Sequence, residues 1–179
     1  KTPPLAPIDM PKQFTPFSFK MSRNFPMPDL PTDNPLIEER VELGKKLFFD
    51  TQISGTNAVS CASCHQPEYA FSDNKKQSSG VTSKQTRRHS MPLFNLAWKK
   101  AFFWDGRVGS LREQVFHPIQ HPDEMNSSVE ELMELLNNDS EYRELFSRAF
   151  LPRGVTPDHI GLALENYLFG LVSYHSRFD

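Results

Sequence analysis

Cysteine is nearly absent from this chain: two residues, Cys61 and Cys64, in 179. So few thiols exclude a scaffold stapled by several disulfides. Structural zinc is excluded on similar grounds, because no second Cys or His cluster stands at ligand spacing. Alternating strand and helix patterns are also missing, which removes the setting of a thioredoxin-like redox pair. No run of about eighteen apolar residues occurs, so no segment reads as a membrane-spanning helix. Excess charge of one sign is lacking too: the formal net charge is -2, whereas a nucleic-acid surface would call for a basic surplus. With 37% hydrophobic and 23% charged residues, the length suffices for one domain with a real core and not for two large ones.

What is present is ordered around Cys61-Ala62-Ser63-Cys64-His65. Two thiols three positions apart can each add to one vinyl group of a haem, and the histidine that follows is placed for its imidazole to reach the iron. The motif reads as covalent attachment of haem c by Cys61 and Cys64, with His65 as an axial ligand. An accidental C-x-x-C-H in a soluble domain is the plain alternative. Haem c is attached in exported compartments, so a periplasmic location is expected. The chain starts at Lys1 without Met or signal peptide, as a mature or trimmed product would.

Proline crowds the beginning, with Pro3, Pro4, Pro7, Pro11, Pro16, Pro26, Pro28 and Pro31 all within residues 1–34. Each removes an amide donor and disfavours helix at the residue before it, which predicts an extended N-terminal arm. Phe14, Phe17, Phe19, Met21, Phe25 and Met27 are interleaved, too many apolar side chains for a solvated linker. The arm is therefore expected to lie against the globular surface or a partner. A disordered leader is the competing reading of the same composition.

From Pro35 the pattern turns helical, and residues 35–179 read as the haem domain. Ile37, Val41, Gly44 and Phe48 recur on one face with Leu43 and Leu47 beside them. Asn34 is the expected cap of that helix and Pro35 its first turn. Residues 72–90 are polar and without period, which predicts a long loop folding over the haem. Ser127 with Glu130 and Ser128 with Glu131 offer overlapping capping boxes. Asn137-Asn138-Asp139 then stops one helix, Ser140 starts the next, and Pro152-Arg153-Gly154 breaks the chain. Thr156 and Pro157 open a last helix carrying Ile160, Ala163, Leu164, Tyr167, Leu168 and Leu171. The expected fold class is all-α.

Four strings, CASCH, FWDGR, SLREQ and HPIQHPDEM, follow one another in this order. Together, at these separations, they resemble the amino-terminal haem domain of the bacterial dihaem cytochrome c peroxidase and MauG superfamily, from about Val41 to Met125 and more weakly to Asp179. The resemblance implies a cytochrome c-like fold and assigns roles. His65 matches the proximal ligand of the haem where peroxide reacts. Trp104 matches a tryptophan between two haems that passes electrons. Gln114 and Glu124 match the polar pair above the iron, and Phe103 matches an aromatic lining the same pocket. The implied substrate is hydrogen peroxide, reduced to water with electrons from a second haem or from a donor cytochrome or cupredoxin. Such chemistry suits the residues: a carboxylate can move the proton from one peroxide oxygen to the other, and an amide can hold the oxygen by hydrogen bonds. Taken without the resemblance, Glu124 reads as a cap or surface residue, Phe103 and Trp104 as core aromatics, and Asp105 with Arg107 as a turn contact.

The chain departs from the family in two places. Many dihaem peroxidases carry a histidine about sixteen residues beyond the proximal one, which caps the iron until reductive activation; here that position is Val81. Either the iron is open without activation, as in MauG-type members, or a shifted loop supplies His89. His89 also stands near a family asparagine that helps bind calcium between the two domains, which weakens the case for an inherited calcium site. Family members carry two haem domains, and this chain has one attachment motif. The second haem would then belong to another subunit or to a longer product, or the chain is an isolated domain. Two further readings stay open: MauG-like oxidation of a partner protein, and a mono-haem electron carrier with Met91 or Met125 as sixth ligand.

Overall fold

The computed structural model describes residues 9–152 and 154–177. Lys1, Pro3, Pro4, Pro7, Arg153 and Asp179, which entered the reading above, lie outside the described residues. Among the described residues there are seven α-helices and no strand, backbone pairing being limited to isolated bridges. The helices are α1 (Glu38–Phe49), α2 (Cys61–Cys64), α3 (Leu111–Gln114), α4 (Phe116–Gln120), α5 (Val129–Asn138), α6 (Ser140–Ala149) and α7 (Pro157–Gly170).

Helix α7 is the axis of the core. Every residue from His159 to Phe169 is buried, so the other elements can surround it. Its cap is the expected one, with the Thr156 hydroxyl oxygen accepting from the His159 N–H at 3.2 Å and Pro157 in the first turn. Helix α1 crosses it where Gly44 removes a side chain; a Cβ at Gly44 would overlap the Ala163 carbonyl. Leu43, Leu47 and Phe48 then join Leu164 and Leu168 in one apolar cluster.

The start of α1 differs from expectation. The helix begins at Glu38, and its cap residue Ile37 offers no side-chain oxygen. Instead the Ile37 N–H donates to Asn166 Oδ1 of α7 at 3.1 Å, and the Glu38 N–H to the Thr15 carbonyl at 2.8 Å. Asn34 does not cap: its amide donates to the Leu162 carbonyl (3.1 Å) and Glu165 Oε2 (2.8 Å) and accepts from Arg40 Nη1 (2.6 Å). Arg40 is fully buried, with Nε bonded to the Ala149 carbonyl and its guanidinium over the Phe150 ring; burial lowers its pKa to about 10.

Of the two overlapping boxes before α5, the second forms: Glu131 N–H to Ser128 Oγ at 3.1 Å and Ser128 N–H to Glu131 Oε2 at 2.9 Å. Helix α6 is capped by Asp139, which accepts from the Tyr142 N–H, with Ser140 the first helical residue. Residues 9–36 contain no helix. Phe17 and Ile37 run past each other through an antiparallel bridge at Pro16, while Phe19 and Phe25 pack on Trp98, whose indole N–H donates to the Pro26 carbonyl at 2.7 Å. Phe14 and Met27 stay exposed.

Candidate functional site

Helix α2 is a single turn, so Cys61 and Cys64, three positions apart, face the same way. Its first turn is closed by Ser60, whose N–H donates to Ser63 Oγ at 2.9 Å. Both cysteines are free and half-buried, and both border a cavity of about 470 Å3. That volume lies within the roughly 300–1,000 Å3 typical of cofactor sites. Burial pushes the Cys61 thiol up to about 12, with Cys64 adding to the shift, and burial also raises Cys64.

His65 follows α2 on the same cavity wall. Its Nδ1 lies 2.8 Å from the Phe71 carbonyl. A carbonyl can only accept, so Nδ1 carries the hydrogen and Nε2 keeps the lone pair, the arrangement of a metal-ligating imidazole oriented by its second nitrogen. Burial lowers the His65 pKa against the opposing pull of the Phe71 and Met91 carbonyls. Two thiols and an oriented imidazole on one wall of an apolar cavity fit covalently attached haem c, which Cys61, Cys64 and His65 would hold.

The remaining expected residues border the same cavity: Phe103, Trp104, Gln114 and Glu124. Gln114 ends the one-turn helix α3, on whose cavity side lie Leu111 and Val115 as well. Glu124 is fixed through its backbone. Its N–H donates to the His121 carbonyl (3.0 Å) and its carbonyl accepts from Val81 N–H (2.8 Å). Gly80 makes that approach feasible, because a Cβ there would overlap the Asp123 carbonyl and sit 2.6 Å from Glu124 Cα. Burial raises the Glu124 pKa, opposed by the charges of His121 and Arg107.

The FWDGR string forms a tight turn. Phe102 N–H donates to the Val108 carbonyl and Gly106 N–H to that of Phe103, with Phe103 and Gly106 both at φ 67°. Arg107 lies over the Phe103 ring at 3.5 Å and pairs with Asp105 at 2.9 Å, while Arg88 reaches the same carboxylate at 3.0 Å. Trp104 stands at the rim, 57% exposed, its indole N–H bonded to the His89 carbonyl at 3.0 Å.

Residues 72–90 form a loop, as expected, and Gly80 with Gln85–Ser90 supply a side of the cavity. Val81 ties that loop to Glu124 through its backbone N–H and is not among the residues lining the cavity. His89 is held at both ring nitrogens, Nε2 by Ser72 Oγ at 3.0 Å and Nδ1 by the Lys75 carbonyl at 2.8 Å. An imidazole engaged on both sides is not poised as a replacement iron ligand. Met91 and Met125 both line the cavity, Met125 almost wholly buried. Among the described residues no group of three or more His, Cys, Asp or Glu is placed to hold a metal ion, and no helix is long and apolar enough to cross a membrane.

A helical chain with a C-x-x-C-H turn opening onto a cofactor-sized cavity defines a protein of the c-type haem class. Within that class, the chain belongs to the di-haem cytochrome c peroxidase family, whose sequence model matches residues 38–179. It is 41% identical over 150 residues to the methylamine utilization protein MauG of Methylorubrum extorquens, covering 83% of this chain and 42% of that protein. To cytochrome c551 peroxidase of Pseudomonas aeruginosa it is 38% identical over 159 residues, covering 86% of this chain and 46% of that protein. The crystal structure of a MauG-like protein associated with microbial copper homeostasis has a similar fold, with a TM-score of 0.81 at 30% identity over 90% of this chain and 49% of the other. The chain thus spans about half the length of the relatives it matches. The family implies haem c as the cofactor.

Proposed function

We propose that this chain is the peroxidatic haem domain of a cytochrome c peroxidase, taking hydrogen peroxide to water in the periplasm. The observation that carries the reading is the placement of Glu124 and Gln114 on the wall of the cavity that also receives Cys61, Cys64 and His65. Bound haem c supplies the redox iron at which the O–O bond is cleaved. The overall step consumes two electrons and two protons and yields two waters.

The protein's own groups manage the protons and the fit. Glu124, whose burial raises its affinity for a proton, accepts one from the inner peroxide oxygen and returns it to the outer, departing oxygen. Gln114 donates hydrogen bonds from its amide to the oxygen being held. Phe103, clamped between Arg107 and the His117 ring, shapes the wall beside them. Trp104, exposed at the rim, faces the source of electrons: a second haem elsewhere in a longer chain or second subunit, itself supplied by a donor cytochrome or cupredoxin.

Two measurements test this reading. Whole-protein mass with pyridine haemochrome quantification should give one haem per copy of residues 1–179. Oxidation of a reduced c-type cytochrome on adding hydrogen peroxide to the complete di-haem assembly should slow about a hundred- to ten-thousand-fold in Glu124→Gln, with the haem still attached. Unchanged turnover removes Glu124 from proton transfer.

A second reading is favoured by Val81, which stands where many relatives carry the capping histidine, and by the engaged ring of His89. Under it the domain oxidises a side chain of a partner protein, as the MauG likeness suggests. An oxidised state that persists with reduced cytochrome present and is discharged only by a protein substrate would select it. The carrier reading draws on Met91 and Met125; a low-spin His/Met spectrum in both redox states would select that one instead.

A further inference from the structure

Helix α3 is a single turn, too short to hold itself in place. Its anchor is Arg112. Nη1 donates to Asp33 Oδ2 at 2.7 Å and Nη2 to Asp33 Oδ1 at 3.0 Å. Nε donates to Glu165 Oε1 and Oε2 at 3.2 and 3.1 Å, and Nη2 to Glu165 Oε2 at 2.7 Å. The carboxylates are sheltered, 12% exposed at Asp33 and 2% at Glu165. Burial works against the Arg112 charge, but these bonds outweigh it and raise its pKa. Beneath the turn, α7 approaches so closely that a Cβ at Gly161 would lie 2.8 Å from the Arg112 carbonyl.

We infer that Arg112 is a positioning residue for the distal amide of Gln114, and that Asp33 of the N-terminal segment belongs to the same device. The inference rests on the reading of Gln114 given above. Residues two apart on a helix do not share a face, so Arg112 points to α7 and the N-terminal segment while Gln114 borders the cavity. Both sit on one turn, and any rotation of that turn moves them together. Glu165 alone would leave a single charged anchor about which the turn can pivot; Asp33 supplies the second, and a planar guanidinium held on two sides fixes direction as well as position. Asn34, next in sequence, bonds Glu165 Oε2 at 2.8 Å, so the seating of residues 33–34 decides how both carboxylates meet Arg112. The N-terminal segment is then a working part of the distal wall.

The test reads the C–O stretching frequency of carbon monoxide added to the reduced, haem-loaded protein, alongside its melting temperature. Gln114→Leu removes the amide and shifts the frequency. Asp33→Asn and Arg112→Lys, which keep the bulk of each side chain, should move it at least half as far in the same direction, and neither should add a further shift on top of Gln114→Leu. A Gln114→Leu shift without any shift in Asp33→Asn or Arg112→Lys, whatever their melting temperatures, overturns the positioning role and leaves Gln114 in place. No shift in Gln114→Leu, or no uptake of carbon monoxide, overturns the reading of Gln114 and this inference with it.

Discussion

Glu124 shows how one side chain is tuned by its surroundings. Burial holds its pKa above the ordinary 4.5, with His121 and Arg107 pulling the other way. A carboxyl so raised takes its proton at higher pH than a free one. The form that accepts a proton from peroxide is therefore lost on acidification before an ordinary glutamate would be. The rate of the peroxide reaction is expected to fall along an acid limb centred above pH 4.5, and that limb should be missing in Glu124→Gln; a pH–rate profile of both proteins checks it. Stability runs in the opposite sense. A raised folded-state pKa contributes stability at low pH that is lost as the pH rises through it. Glu124→Gln is thus expected to unfold at neutral pH no earlier than the unmodified protein, which thermal melting will show. Reduced activity together with undiminished stability would mark a residue placed for chemistry.

Among the elements, the α1–α7 crossing carries the most consequence, because Phe48 from α1 and Leu164 and Leu168 from α7 all reach the cavity wall. The crossing is close at Gly44, where a Cβ would overlap the Ala163 carbonyl and lie 2.8 Å from Tyr167 Cβ. Backbone cannot yield as a flexible side chain can. Gly44→Ala is expected to destabilise by about 1–3 kcal/mol or more, read by urea unfolding. Gly109, with nothing within 4 Å of an added Cβ, is the control; Gly109→Ala should stay within about 0.5 kcal/mol. The helical pattern of α1 could be read from its apolar spacing. The crossing partner of Gly44 could not, since a glycine in a helical pattern does not say which backbone approaches it.

At the scale of the whole molecule, charged side chains tie distant parts of the chain together. Asp33 and Arg112 are 79 residues apart, Asn34 and Glu165 131 apart. The hydrogen bonds from Arg112 hold the Asp33 carboxyl below its usual 3.8, against the cost of burial. A depressed folded-state pKa contributes stability that is present above the unfolded value and lost as the pH falls through the folded one. The stability difference between the unmodified protein and Asp33→Asn is therefore expected to be level above about pH 5 and to shrink below pH 3.8, as chemical denaturation across that range will report. The same ties explain a misreading. Asn34 has the composition and place of a helix cap, yet Arg40 and Glu165 claim its amide, and Asn166 serves the start of α1 instead.

The sequence by itself determined what depends on residues a few positions apart. The C-x-x-C-H turn, the Thr156 cap, and the helical periods of α1, α5 and α7 rest on neighbours within a turn of one another, where spacing alone dictates which groups can meet. Only the tertiary structure decided that Gly80 gives the loop access to Glu124, that α7 is buried on every side, and that Arg112 is shared between Asp33 and Glu165. Those contacts join segments far apart along the chain, and a charged or small residue waiting for a distant partner leaves no periodic trace from which that partner could be read.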